Sequence, residues 1–347
     1  MKYFSMFSGI GGFEYGIEQS DKDLECIGCS EIDYYASNIY RRHYPKHKNF
    51  GDVTKIEPKD LRDFELLVAG FPCQSFSNSG LRRGFSDTRG TLFFEIARIC
   101  AEKKPKYFLL ENVKGLLYHD KGNTFQKMLR IFSELGYYVE WEIHNSKNHG
   151  IPQSRERIFI KGYSREECGG EILHQRRNGT KITRNVNNAL KKINTARIQG
   201  QRVYDVTGLS TTLTASSGGQ GAKTGLYMVD EPYIKVKSNT AKGYHEAFIG
   251  DGVRIDYLSE KNDSRGRVQS EKIGTLTCVG SWGTLDESLR VRRLTPIECE
   301  RLQGFPDDWT KYTYDGSVVG NTQRYKCIGN AVTTNVVRDI INKWEAI

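Results

Sequence analysis

Apolar residues follow two rhythms along this chain. Short apolar runs at 2–7, 24–30, 66–69, 107–110, 139–143 and 157–161 have the length of buried strands. The stretches between them, at 34–43, 92–102 and 124–135, repeat their apolar residues at threes and fours, the spacing of one helix face. Strands alternating with helices predict an α/β fold, a mostly parallel sheet with crossover helices on both faces. After Gly162 the alternation stops, and residues 171–290 are rich in Gly, Ser, Thr and Asn, with strand-like fragments only. A smaller, mainly β or irregular domain is expected there. Two fragments in it are related, LSTTLTASSGG at 209–219 and IGTLTCVGSWG at 273–283, but they are too short to establish a repeat. Order returns with LTPIECERLQGFPDDW at 294–309, where Thr295 as N-cap, Pro296 at N1 and Glu298 at N3 open a short helix that Gly304 stops. The closing GNAVTTNVVRDIINKW reads as a loop followed by an amphipathic helix.

At 347 residues the chain can build one large domain and a smaller one. No apolar run is long enough to span a bilayer, and MKYFSMFSGIGG breaks into glycines too early for a secretory signal. A cytoplasmic location is the default expectation. The eight cysteines are scattered, which suits reduced thiols. Cys26 and Cys29 form a CxxC, but inside the apolar run LECIGCSE they read as core-facing and no metal site is expected. The net charge of +9 suits a polyanionic partner, and Arg176, Arg177, Lys181, Arg184, Lys191, Lys192, Arg197 and Arg202 face few acids.

Strand ends carry the candidate chemistry. The first run ends in Phe7-Ser8-Gly9-Ile10-Gly11-Gly12, a glycine-rich strand-to-helix turn that lets a ligand approach the backbone and its free N–H groups. Glu31 ends the second run, twenty residues beyond Gly11, where an acid can accept hydrogen bonds from both ribose hydroxyls of an adenosine. The nicotinamide fingerprint needs a small residue where this chain has Glu14, which disfavours a dehydrogenase. The run at 66–69 leads into Gly70-Phe71-Pro72-Cys73-Gln74-Ser75. Open α/β sheets bind ligands at such strand ends, and Pro72 stiffens the turn that presents the sulfur. A free cysteine is usually a small buried hydrophobe, but one between Pro and Gln in a polar loop suits a nucleophile better. The run at 107–110 ends in Glu111-Asn112-Val113, where burial would raise the carboxyl pKa and let it carry a proton. In Gln153-Ser154-Arg155-Glu156-Arg157, alternation puts both arginines on one face, able to grip a phosphate or a base edge or to sit in a solvated charge run.

In this order the motifs resemble those of the bacterial and phage DNA (cytosine-5) methyltransferases, over nearly the whole chain: FSGIGG, Glu31, Gly51-Asp52, the PCQ loop, GFSDTRGTLFFEIARI, ENV, QSRER, LTPIECERLQGFP and GNAV. The resemblance implies a Rossmann-like catalytic domain over 1–170 and 328–347, a target-recognition domain over 171–290 and a hinge segment over 291–327. It implies S-adenosyl-L-methionine as methyl donor, S-adenosylhomocysteine as product, no metal, and double-stranded DNA as substrate. Cys73 would then add to C6 of a flipped-out cytosine, Glu111 would supply a proton at the N3 edge, and Arg157, with Arg155 beside it, would hold O2. The cofactor pocket would comprise Phe7, Gly9, Ile10, Gly11, Glu31, Ile32, Asp52, Pro72, Asn330 and Val332. Phe7 would stack on the adenine and Asp52 meet its edge, while Ile32 replaces the bulky aromatic often found in the family, which weakens stacking.

On the DNA side, Thr212 of the Thr212-Leu213 pair is expected near the flipped nucleotide. It is preferred to Thr275-Leu276 because Gln199-Gly200 precedes it and GAKTGLY follows it. Gln199 and Ser79 would fill the gap in the duplex from opposite sides of the cleft. The family's behaviour implies a monomer on DNA, either with a restriction endonuclease acting separately or as a solitary or phage-borne enzyme. Two alternatives stay open. A tRNA cytosine-5 methyltransferase shares the catalytic motifs but carries a short variable region with a Cys-Phe-Thr element not found here. A non-catalytic DNA-binding relative would lack Cys73, Glu111 or the glycine turn.

Overall fold

The computed structural model describes residues 1–72, 92–166, 203–205, 226–228, 233–238, 240–254, 267–276, 282–285 and 291–347. The apolar runs form strands β1 (Lys2–Met6), β2 (Glu25–Ser30), β3 (Leu66–Gly70), β4 (Tyr107–Val113) and β5 (Tyr137–Asn145). A two-residue strand, β6 (Gln153–Ser154), precedes β7 (Glu156–Ser164). Six of these make one sheet in the order β2-β1-β3-β4-β7-β5. The pairs β1–β2, β1–β3 and β3–β4 are parallel, whereas β7 runs antiparallel to both β4 and β5. That reversal departs from an all-parallel arrangement for a simple reason. A parallel return needs a crossover of about a dozen residues or more, and only the short helical turn Ser146–His149 and β6 intervene between β5 and β7.

The helices are α1 (Gly12–Glu18), α2 (Tyr34–His43), α3 (Leu92–Lys103), α4 (Asn123–Glu134), α5 (Pro296–Arg301), α6 (Asn321–Asn330) and α7 (Thr334–Lys343). Strand side chains alternate between two buried faces. Phe4, Met6, Leu67, Ala69, Phe108, Leu110, Ile158 and Ile160 pack with α3 and α4 on one side. Tyr3, Leu66, Val68, Leu109 and Phe159 pack with α1 and α7 on the other. Covering both faces is what makes the strands read as continuous apolar runs, and it leaves the strand ends as the place for chemistry. A third cluster gathers Ile10, residues of α2, α5 and α6, and Leu276. Cys29 belongs to it and Cys26 is half-buried against the α1–α7 face, so both sulfurs sit in packed surroundings.

Thr295 caps α5 as predicted, accepting from Glu298 N (3.3 Å) while Glu298 Oε2 accepts from Thr295 N (2.7 Å). Among the described residues of 234–293 the strands are short. Gly252–Arg254 pairs antiparallel with Val268–Gln269 and Trp282–Leu285, over a small core of Val236, Ala247, Val253 and Leu285. Met1–Glu171 with Ile234–Ile347 form one compact unit and Ile172–Tyr233 a second, in which Val203–Asp205 pairs in parallel with Leu226–Met228. No helix among the described residues is long and apolar enough to cross a membrane.

Candidate active site

At the ends of β1 and β2 the chain builds a polar cradle. Phe7, the residue after β1, adopts φ 56°, a left-handed conformation rare for a bulky side chain and a mark of functional constraint. Gly9 also has positive φ (57°), and a Cβ added there would meet nothing within 4 Å, so open space lies beside its backbone. Glu31 faces that backbone. Its Oε2 accepts from Gly9 N (2.8 Å), and its Oε1 from Ile32 N (2.8 Å) and Asp33 N (2.7 Å). The side chain of Ile32 is 76% exposed, an apolar surface next to the carboxylate. Asn49 ties this corner together: its Nδ2 donates to Glu31 O (3.0 Å), and its Oδ1 accepts from Glu31 N (3.1 Å) and Gly51 N (2.9 Å). Asp52 caps the next turn through Thr54 N (3.0 Å) and Thr54 Oγ1 (2.8 Å), bonds that lower its pKa. A half-buried acid beside open backbone and an exposed aliphatic surface fits a nucleoside with an apolar base face.

At the ends of β3 and β4 the surroundings are different. Gly70 pairs with Glu111 across the two strands. Glu111 is 8% exposed, and Arg157 Nε lies 3.1 Å from its Oε1. Burial raises the Glu111 pKa, with Arg157 and then Arg155 opposing the shift; burial wins. The buried Asn112 donates through Nδ2 to Phe71 O (2.9 Å), fixing the chain just before the exposed Pro72. Cys73 and Ser79 follow Pro72, and with Gln199 and Thr212 they lie outside the described residues. What the described part contributes is a buried, arginine-paired carboxyl at the strand end beside the one that leads into Cys73.

A profile of the C-5 cytosine-specific DNA methylases matches residues 1–346. The chain belongs to that family. It is 35% identical over 350 residues to the Type II methyltransferase M.SsoII of Shigella sonnei, covering 99% of this chain and 79% of that one. It is 30% identical over 491 residues to the orphan methyltransferase M.Rho11sI of Bacillus phage rho11s, covering 99% and 97%. Among solved structures it shares its fold with the Entamoeba histolytica methyltransferase EhMeth, at a TM-score of 0.54 and 17% identity over 98% and 96% of the two chains.

In this DNA (cytosine-5) methyltransferase the remaining expected site residues have distinct placements. Ile10 is buried in the third core cluster, and its carbonyl accepts from Trp309 Nε1 (2.9 Å). Gly11 caps α1 at φ 90°. Val332 packs on Gly12, where an added Cβ would lie 2.7 Å from Val332 Cγ1, so only glycine permits this approach. Asn330 is exposed at the end of α6. The two arginines of QSRER part company. Arg157 turns to Glu111, whereas the buried Arg155 bonds to the backbone of Leu276, Gly329 and Ala331. Thr275 Oγ1 donates to Ser154 O (3.2 Å), and Ile273–Gly274 pairs in parallel with β6, which seats Thr275-Leu276 beside QSRER.

Sequence reasoning missed Asn49, Asn112, Trp309 and Gln303 as organisers of the site. Asn49 bonds the backbone of Glu31, Asn112 that of Phe71, Trp309 that of Ile10 and Gln303 that of Ile328, and no local spacing announces such bonds. Asn112, Gln303 and Trp309 do stand inside stretches already singled out, ENV and LTPIECERLQGFPDDW, which is the one signal available.

Proposed function

We propose that this methylase modifies C5 of a flipped-out cytosine in duplex DNA through a covalent bond between Cys73 and C6. What carries the reading is the ion pair of buried Glu111 with half-buried Arg157 at the end of β4, beside the β3 end that leads into Cys73. Cytosine C5 is a poor nucleophile. Addition of the Cys73 thiolate to C6 breaks the aromatic system and moves electron density toward C5 and N3. Protonated Glu111 donates to N3, which neutralises that charge in a water-poor site. Arg157 holds O2 and, through Glu111, keeps the carboxyl aimed at the base edge. S-adenosylmethionine, when bound, supplies the methyl group that C5 takes. Loss of the C5 proton to a base, departure of the Cys73 sulfur from C6 as thiolate and return of the N3 proton to Glu111 restore the ring. Because C6 is shielded inside a stacked duplex, the base must leave the helix.

The cradle of Phe7, Gly9, Glu31, Ile32 and Asp52 would hold the methyl donor, with Pro72, Asn330 and Val332 closing it. Residues 171–290 are assigned to target recognition, the basic run at 176–202 tracking phosphates. Ser79, Gln199 and Thr212 are assigned to the DNA. A monomer in the cytoplasm, with any endonuclease acting separately, completes the proposal.

The test is a duplex of mixed sequence in which every cytosine carries fluorine at C5, incubated with S-adenosylmethionine. Fluorine cannot leave as a proton does, so the enzyme should stay bonded to DNA and survive denaturing electrophoresis. Cys73→Ser should form no such species while still binding DNA. If the unaltered enzyme yields none, the covalent route is wrong.

A further inference from the structure

Arg155 is 3% exposed, and its terminal nitrogens reach three carbonyls in two remote segments. Nη1 donates to Leu276 O (3.2 Å) and Gly329 O (3.2 Å), and Nη2 to Gly329 O (3.3 Å) and Ala331 O (2.9 Å). Two buried glutamines extend the grip. Gln153 accepts from Leu276 N (3.0 Å) and donates to Leu302 O (2.6 Å). Gln303 donates through Nε2 to Ile328 O (3.0 Å) and Ala331 O (3.4 Å), and accepts from Thr333 Oγ1 (2.8 Å). The turn so held carries Val332, which presses on Gly12 at the start of α1, directly after the cradle. An unbroken run of contacts therefore joins Leu276, Arg155, the 329–332 turn and the glycine turn.

On the basis of the methyl-donor cradle assigned above, we propose that Arg155 is a positioning residue for the cofactor and does not hold the base. It fixes the 329–332 turn against the glycine turn, and the same guanidinium docks Leu276, so donor binding and the seating of 273–276 are linked. A planar guanidinium can serve carbonyls on two segments at once; a lysine ammonium on a flexible stem cannot reproduce that fork. Carbonyls left unpaired in a buried place cost free energy, and the turn that bears them would loosen.

Full-length Arg155→Lys separates this role from its rivals when S-adenosylmethionine affinity is measured by titration calorimetry alongside steady-state kinetics. Affinity should fall about tenfold, the loss of one charge-assisted hydrogen bond, with kcat at saturating donor within about threefold of the unaltered enzyme. Arg157→Lys should do the reverse, keeping affinity and losing kcat. Val332→Ala weakens the same turn without touching Arg155, and the double variant should lose less than the sum of the two single effects. Should Arg155→Lys not fold, Gln303→Met removes the neighbouring donors and carries the same expectation. Unchanged affinity with reduced kcat would overturn the proposal, as would strictly additive losses. If the unaltered protein binds no S-adenosylmethionine, the cofactor assignment itself falls, and the proposal with it.

Discussion

Glu31 and Glu111 each sit at the carboxyl end of a strand of one sheet, and their surroundings give them different work. Glu31 is half-buried, and both its oxygens accept from backbone N–H groups of Gly9, Ile32 and Asp33. It is a rigid acceptor beside open space, suited to hydroxyls that donate. Glu111 is buried, and Arg157 forms an ion pair with it. Burial outweighs the arginine and keeps its proton to higher pH than an ordinary carboxyl would. The residue type is the same at both ends; on the proposed reading, desolvation and the nature of the partner decide between holding a ligand and moving a proton.

The largest expected effect strikes the Glu111 end. Glu111→Gln should lower kcat by about two to four orders of magnitude, the usual worth of a positioned general acid, with S-adenosylmethionine affinity kept. A raised pKa also means that turnover falls as pH rises through it, a limb absent from the residual activity of Glu111→Gln. If affinity fell in step with kcat, the two ends would not be separate.

A third carboxyl sharpens the rule. Glu14 on α1 is wholly buried, it accepts from the Tyr40 hydroxyl (3.1 Å), and burial raises its pKa to about 7 against the opposing pull of the Ser5 and Tyr40 hydroxyls. The folded state therefore holds a proton that the unfolded chain releases near pH 4.5. Stability is full below that value and declines as pH rises through about 7, by about 3 kcal/mol in all. Urea melts at pH 5 and pH 8 should show that decline, and Glu14→Gln should flatten it. Parallel pH dependence in both proteins would mean that burial does not govern this carboxyl.

The smallest effect belongs to the Glu31 end. Glu31→Gln should weaken S-adenosylmethionine binding by roughly tenfold and leave kcat at saturating donor nearly unchanged. A loss confined to kcat would move Glu31 out of the cradle.

How far these roles are legible in the sequence depends on how local they are. The strands show themselves because both sheet faces are covered, so runs such as 66–69 are apolar throughout. Helix Tyr34–His43 coincides with its predicted span because its inward residues, Ala36, Ile39 and Tyr40, keep helical spacing. Helix α6 is hidden because one of its buried positions is Arg324, which pairs with the buried Glu300 at 2.9 Å. No apolar pattern foretells a charged pair inside. Arg155 and Arg157 look equivalent by alternation, but the break between β6 and β7 falls at Arg155 and sends it toward the 329–331 turn. Glu31 and Glu111 are legible because a strand end is a local feature; Asn49 is not, because its value lies in bonds across a loop.

The central claim is tested most directly by bisulfite sequencing of DNA from a methylation-free host that expresses this protein. Cytosines protected at one short recurring sequence, and unprotected when Cys73→Ser or Glu111→Gln is expressed, are the predicted result. No protected cytosine in the presence of folded protein would contradict the DNA assignment and turn attention to tRNA as substrate.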